Sequence, residues 1–202
     1  MTINTDDPAY IVDGVLTDGE AWVALGTTTL SSGAVNIGFT STTGANDWSQ
    51  YMDLVLISYL RSDESAAGSY MRVLLNTASV VTDGYHIQEL RTDGSSVYAA
   101  ETPTSTQGLA GYMPGGSAAA NIFGASITNI YDINSGKYKT FSTMSAADKD
   151  GTSDELSTTT ITRRTQAPVT AVYVSLYPTG SDDLVAGSRV DLFGVLPRMV
   201  TA

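Results

Sequence analysis

Apolar residues in this chain recur at every second position, in short runs broken by Gly, Asn, Asp and Pro. That spacing belongs to β-strands, because successive side chains of an extended backbone point to opposite faces. In residues 169–177, Thr170, Val172, Val174 and Leu176 alternate with Ala171, Tyr173, Ser175 and Tyr177. In residues 69–76, Met71, Val73 and Leu75 share one face while Arg72 and Asn76 take the other. The run after Tyr51 is the most apolar, with Leu54, Leu56 and Leu60 on one side and Val55, Ile57 and Tyr59 on the other. A strand apolar on both sides is expected at the centre of a sheet, covered on both faces. No long window carries the apolar stripe of a helix, so short helical turns near Asp47 and Ala146 are the most expected.

Turn residues divide the strands. Residues 27–30 and 35–39 flank Ser32-Gly33, a hairpin signal, and residues 122–133 and 137–144 flank Asn134-Ser135-Gly136, the clearest hairpin. Residues 85–90 and 96–100 flank Asp93-Gly94, a pair suited to the positive φ angles of a type I′ turn. Residues 156–165 are rich in β-branched Thr, which favours strand over helix. Residues 189–196 form a last strand stopped by Pro197. The stretch GLAGYMPGG, residues 108–116, reads as an irregular loop. It shares only glycines with a phosphate loop and lacks the Gly-Lys-Ser/Thr ending.

About ten strands at this short, even spacing predict an all-β fold, a jelly-roll-like β-sandwich. Its core is expected from Leu54, Leu56, Val73, Leu75, Ile127, Val172, Val174, Leu192 and Phe193. Residues 1–20 read as an extended N-terminal arm, in which Asp6, Asp7, Asp13, Asp18 and Glu20 surround Tyr10, Ile11 and Val12. Residues 21–202 are expected to form a single sandwich domain, since all-β domains often run to this length.

The 202 residues include no cysteine, which removes a disulfide framework, a thiolate metal site and a cysteine nucleophile. Charged residues make up only 15%, against about a quarter in an average chain. Ten Lys and Arg face 21 Asp and Glu, for a net charge of -11. Such a surface repels phosphate backbones and lacks a basic cluster for anionic lipid, so neither nucleic acid nor membrane is an expected partner. The start, MTINTDDPAY, is acidic where a secretion signal needs a basic head and an apolar run.

Candidate chemistry is sparse. His86 is the single histidine, it sits in a strand, and no Gly-X-Ser-X-Gly elbow presents a serine to it. The acids of Asp63-Glu64, Asp182-Asp183 and residues 148–155 lie in turns, where carboxylates cap tight backbone geometry. A glycosidase needs instead two acids across a cleft. Asp148, Asp150, Asp154 and Glu155 offer the oxygen-rich loop that calcium accepts, but the Gly follows the second Asp directly and no Glu stands at the twelfth place. A solvated acidic turn is the plainer reading. Arg163-Arg164 points to opposite faces of a strand, a poor nucleic-acid patch. Trp22 and Trp48 could stack on a sugar, although a wedge at the rim of the core is the commoner role. No catalytic residue and no cofactor is expected.

Three stretches carry a family resemblance: AWVALGTTTLSSGAVNIGFTST at residues 21–42, SQYMDLVLISYLRSDESAAGSYMRVLLN at residues 49–76, and LVAGSRVDLFGV at residues 184–195. They resemble a loose family of tailed-phage virion proteins. In that family a TTTLSS hairpin precedes a YTDLVL strand, and an AGSR strand closes a jelly-roll-like domain. The resemblance covers most of residues 22–196 and rests on strand patterns, with no catalytic residues to transfer. It implies a capsid decoration (cement) protein or a tail-fibre domain, often trimeric. The acidic arm departs from what a domain embedded in a long fibre needs.

The expectation is therefore a virion structural protein on the outer capsid surface, bound to the major capsid protein and to its own copies as a homo-oligomer, most simply a trimer. The alternative is a tail-fibre or receptor-binding module that contacts host surface glycans, and an enzyme acting on polysaccharide is the weakest reading. The arm group Tyr10, Ile11 and Val12 is too apolar for a pure solvent tail and is the expected contact with a neighbour. Deleting residues 1–20 should leave the β-domain folded yet reduce particle binding, and attachment of the intact chain should weaken as salt rises. Full occupancy by the truncated protein in a co-sedimentation assay would make the arm idle.

Overall fold

The computed structural model describes residues 11–12, 15–16, 22–79, 81, 84–149, 154–177 and 182–196. In chain order the strands are β1 (Ile11–Val12), β2 (Val15–Leu16), β3 (Trp22–Thr29), β4 (Asn36–Thr40), β5 (Asp53–Leu60), β6 (Gly68–Leu75) and β7 (Tyr85–Thr92). They continue as β8 (Val97–Ser105), β9 (Leu109–Pro114), β10 (Gly124–Tyr131), β11 (Lys139–Ala147), β12 (Glu155–Arg163), β13 (Ala171–Tyr177) and β14 (Arg189–Val195). β1 and β2 make a small antiparallel ladder of their own. The rest form an eight-stranded sheet, β3-β14-β5-β10-β11-β12-β7-β8, and a four-stranded sheet, β4-β13-β6-β9. All described pairings are antiparallel, and the two sheets enclose one core as a jelly-roll-like β-sandwich.

The period of two decides what each strand buries. Leu54, Leu56 and Leu60 of β5 turn inward and meet Val172, Val174 and Leu176 of β13 with Met71, Val73 and Leu75 of β6, all in the buried core. The polar strands obey the same rule. In β11, Lys139, Phe141, Thr143, Ser145 and Ala147 are buried while the residues between them face outward. The buried hydroxyls are satisfied locally: Thr128 Oγ1 lies 2.8 Å from Thr143 Oγ1, and Ser145 Oγ lies 2.8 Å from Ser157 Oγ. Across from them runs β9, the end strand of the small sheet. Ser145 Oγ accepts the Tyr112 N–H at 3.1 Å, and Thr159 Oγ1 donates to the Ala110 carbonyl at 3.0 Å. Side-chain hydroxyls thus serve backbone groups that have no neighbouring strand on that side among the described residues.

Several expectations need correction. The stretch at residues 108–116 is not a loop, because residues 109–114 form β9. Its Gly and Pro read as breakers, but an end strand tolerates Pro, and Gly111 sits at a β-bulge. Gly111 has φ +146°, and a Cβ there would meet Ser145 Oγ at 2.3 Å, so the strand presses on β11 through a bare backbone. Residues 27–30 and 35–39 are not a hairpin, because β3 pairs with β14 and β4 with β13. The Ser32-Gly33 turn carries the chain from one sheet to the other, pinned by the Ala34–Leu184 bridge. Ile127 and Phe193 are only half-buried. In β10 the inward parity belongs to Thr128 and Ile130, and in β14 to Val190 and Leu192. A threonine at an inward position disguised that parity.

The β5 strand is central, but its second face is covered only in part, since Val55 is 2% exposed whereas Tyr59 is 47% exposed. The Asp93-Gly94 turn does join β7 to β8, although only Gly94 has positive φ, so it is not type I′. The Asp93 carboxylate builds it by accepting the Ser95 and Ser96 N–H groups at 3.0 and 2.8 Å. Bonds from Ser95 and Ser96 hold its carboxyl down at about 2. The expected hairpin around residues 134–136 joins β10 to β11 as anticipated. Short 3-10 turns at Gly44–Asn46 and Trp48–Gln50 flank Asp47, whereas Ala146 lies in β11, not in a helical turn.

The parity assignment predicts opposite outcomes for one substitution at two sites. Leu56→Asp buries an unpaired charge at a fully enclosed position and should cost several kcal/mol, enough to remove most of a typical stability of about 5–15 kcal/mol. Ile127→Asp, on the outer face, should keep a native circular dichroism spectrum and a cooperative melt. A folded Leu56→Asp protein would refute the core assignment.

Candidate functional site

The two sheets differ in width, and the mismatch leaves the β7–β8 end of the large sheet overhanging. In β8 every residue except Ser105 is exposed, on both faces of the strand. On the outer face of the large sheet, cross-strand register lines up two rows. One row passes from Ala99 through Leu90, Thr158, Met144 and Ile127 to Ile57. The next passes from Val97 through Thr92, Leu156, Ala146 and Ala125 to Tyr59. Across six strands these rows hold no charged residue, in a chain of net charge -11. Val97 is 74% exposed, and Leu90, Met144, Leu156 and Tyr59 stand about half in solvent. Scattered surface apolar residues are ordinary, but adjacent rows of them are not.

On the inner side of the overhang lies a groove between β7–β8 and the β6–β9 pair. Alternation in β7 puts Glu89 and Arg91 on this side. Arg91 Nη1 donates to Glu155 Oε1 at 2.5 Å, and Lys149 Nζ donates to Glu155 Oε2 at 2.7 Å. The Arg91 guanidinium also lies 4.6 Å from the Tyr98 ring centre and 5.1 Å from that of Tyr112. Tyr112 is the cross-strand partner of Tyr70, with ring centres 4.2 Å apart. Glu89 Oε1 stands 3.9 Å from Arg91 Nε, beyond hydrogen-bond reach. Burial pushes the Glu89 carboxyl above its ordinary value, Arg91 opposes that, and Glu155 adds to it. Sequence reasoning passed over this cluster because its members come from five separate strands and from the turn after β11. The one available signal was the i, i+2 spacing of Glu89 and Arg91 in a strand.

The residues singled out from sequence are dispersed. Glu155 of the calcium candidate is buried and committed to Arg91 and Lys149; exposed Asp154 accepts the Lys149 N–H at 2.8 Å. Asp148 is exposed, and Asp150 lies outside the described residues. Among the described residues no group of three or more His, Asp or Glu side chains is placed to hold a metal ion. His86 Nε2 pairs with Glu101 Oε1 at 2.8 Å. Arg163 reaches the Gly84 carbonyl at 3.1 Å, while Arg164 reaches that of Pro103 at 2.8 Å. Trp48 is a core residue, and Trp22 lies on the outer face against Phe193, with ring centres 5.8 Å apart. Of the arm group, Ile11 pairs with Leu16 and Val12 with Val15, while Tyr10 lies outside the described residues. No described helix is long and apolar enough to cross a membrane.

No family model matches the sequence, and no curated protein matches it either. Among solved structures the chain is similar to the CBM40 of the Ruminococcus gnavus IT-sialidase, bound to α2,6-sialyllactose in one structure and to α2,3-sialyllactose in another. Both are 12% identical and cover 89% of this chain and 95% of theirs, with TM-scores of 0.29 and 0.26. A likeness this slight carries nothing about ligand or function.

Replacing Arg91 with Ala leaves the buried Glu155 carboxylate with Lys149 alone. The expected cost is about 2 kcal/mol in urea unfolding, the usual result of stripping a charged group of one partner. The double variant Arg91→Ala/Glu155→Gln should recover part of that loss. An unchanged stability in the single variant would mean that solvent replaces Arg91 at no cost.

Proposed function

We propose that this chain is a non-catalytic structural protein of a tailed-phage particle, a capsid decoration protein that docks on the outer surface of the major capsid shell. The observation that carries the reading is the pair of uncharged rows crossing six strands on the outer face of the eight-stranded sheet, with Leu90, Val97, Met144, Leu156 and Tyr59 in solvent. Covering each of these half-exposed side chains is worth about 1 kcal/mol, and a flat sheet face offers them together to one partner. The resemblance of residues 21–42, 49–76 and 184–195 to virion proteins supplies that partner's class. Association of copies as a homo-oligomer, most simply a trimer, would multiply contacts that are individually weak. Tyr10, Ile11 and Val12 would then add area on a neighbour without enlarging the fold.

The double substitution Leu90→Asp/Leu156→Asp places two carboxylates in the uncharged rows. It should leave the melting transition unchanged, because both side chains are already exposed, and should lower binding to undecorated capsids by at least ~10-fold. Full occupancy of capsids by the doubly substituted protein would assign the docking surface elsewhere.

A further inference from the structure

We propose that the groove between β7–β8 and the β6–β9 pair binds a single uncharged sugar ring, seated against Tyr98 and held by Glu89 and Arg91. The groove encloses about 280 Å³ and is walled by Tyr70, Ile87, Glu89, Arg91, Tyr98 and Leu109. That is slightly under the ~300 Å³ at which sites for drug-sized ligands begin, so it suits one ring, not an extended chain. The site lies on the opposite side of the large sheet from the uncharged rows, and it stands whether the chain sits on a capsid or on a fibre.

The polar groups choose the ligand. A guanidinium carries five N–H donors. Arg91 is fixed through Nη1 on Glu155 and by the rings of Tyr98 and Tyr112, and its other N–H groups have no hydrogen-bond partner among the described residues. Glu89 is the complementary acceptor. Its side chain is 16% exposed, its carboxylate stands 3.9 Å from Arg91 Nε, and it too has no hydrogen-bond partner among the described residues. Beside them the buried Tyr112 hydroxyl has no hydrogen-bond partner among the described residues. A half-buried donor and acceptor side by side are costly when unmet, and adjacent hydroxyls of a ring, each both donor and acceptor, meet both.

Charge excludes the simpler ligands. An anion would face Glu89 and Glu155 in a chain of net charge -11, and a cation would face Arg91 and Lys149. An uncharged polyol meets neither penalty. Tyr98, 42% exposed, and Tyr70 at the edge supply the aromatic surface on which the C–H face of a pyranose packs, and Ile87 and Leu109 complete an apolar floor.

Saturation-transfer NMR on the full chain tests this with methyl glycosides of glucose, galactose and mannose, with N-acetylglucosamine, and with sialic acid as the anionic control. Transfer to the C–H protons of at least one neutral sugar is expected, and none to sialic acid. Tyr98→Ala on the exposed strand should weaken binding at least ~10-fold with the melting transition unchanged, and Glu89→Ala should do the same. If Glu89→Ala fails to fold, Tyr98→Ala decides alone. No transfer to any neutral sugar, transfer to sialic acid alone, or transfer undiminished by Tyr98→Ala would each overturn the assignment. Capsid docking is read in a separate assay, so failure here leaves that proposal standing, and the reverse holds too.

Discussion

The structure turns on a mismatch: an eight-stranded sheet packs on a four-stranded one. At ~4.8 Å per strand the large sheet is wider by about 19 Å, more than one core can cover. The protein handles the excess by folding the small sheet's end strand, β9, against β11 and β12, so that β7 and β8 continue past it. Both features of interest follow. The outer face of the overhang presents uncharged rows, and its inner face forms a groove with Tyr70 and Leu109 on the small sheet.

The contact that sets the overhang is polar. Among the described residues β9 has no strand neighbour on one side, and its backbone would be left unmet in the interior. Ser145 and Thr159 meet it with their hydroxyls, while Gly111 removes the side chain that would hold the strands apart. Serine and threonine at inward positions of β11 and β12 are therefore part of the core's design, where a purely apolar core would leave β9 unsatisfied. Arg61 does comparable work at the opposite end of β9, donating to the Gly116 and Ala118 carbonyls at 3.3 and 2.9 Å to order the loop before β10.

Much of the fold was legible residue by residue. Val172, Val174 and Leu176 announced their strand and their face, and the Asn134-Ser135-Gly136 turn announced its hairpin. The reading failed where local signals conflict with distant ones. Gly111 and Pro114 look like breakers until an end strand and a bulge make room for them. Thr128 looks solvent-facing until Thr143 pairs with it. The turn at Ser32-Gly33 looks like a hairpin because a short turn joins two strands equally well within a sheet or between sheets.

The candidate sites divide in the same way. Alternation alone placed Glu89 with Arg91 and left Leu90 on the other side, because extended backbone has a period of two whatever surrounds it. The sequence by itself also determined the all-β class, the net acidity of the chain and the lack of any thiol chemistry, all consequences of composition and local periodicity. Only the tertiary structure decided which strands became neighbours. It brought Leu90, Leu156, Met144 and Tyr59 into adjacent rows, and it carried Arg91 to Glu155, 64 positions away. Strand order depends on which faces must share one core, a balance over the whole chain that no local window contains.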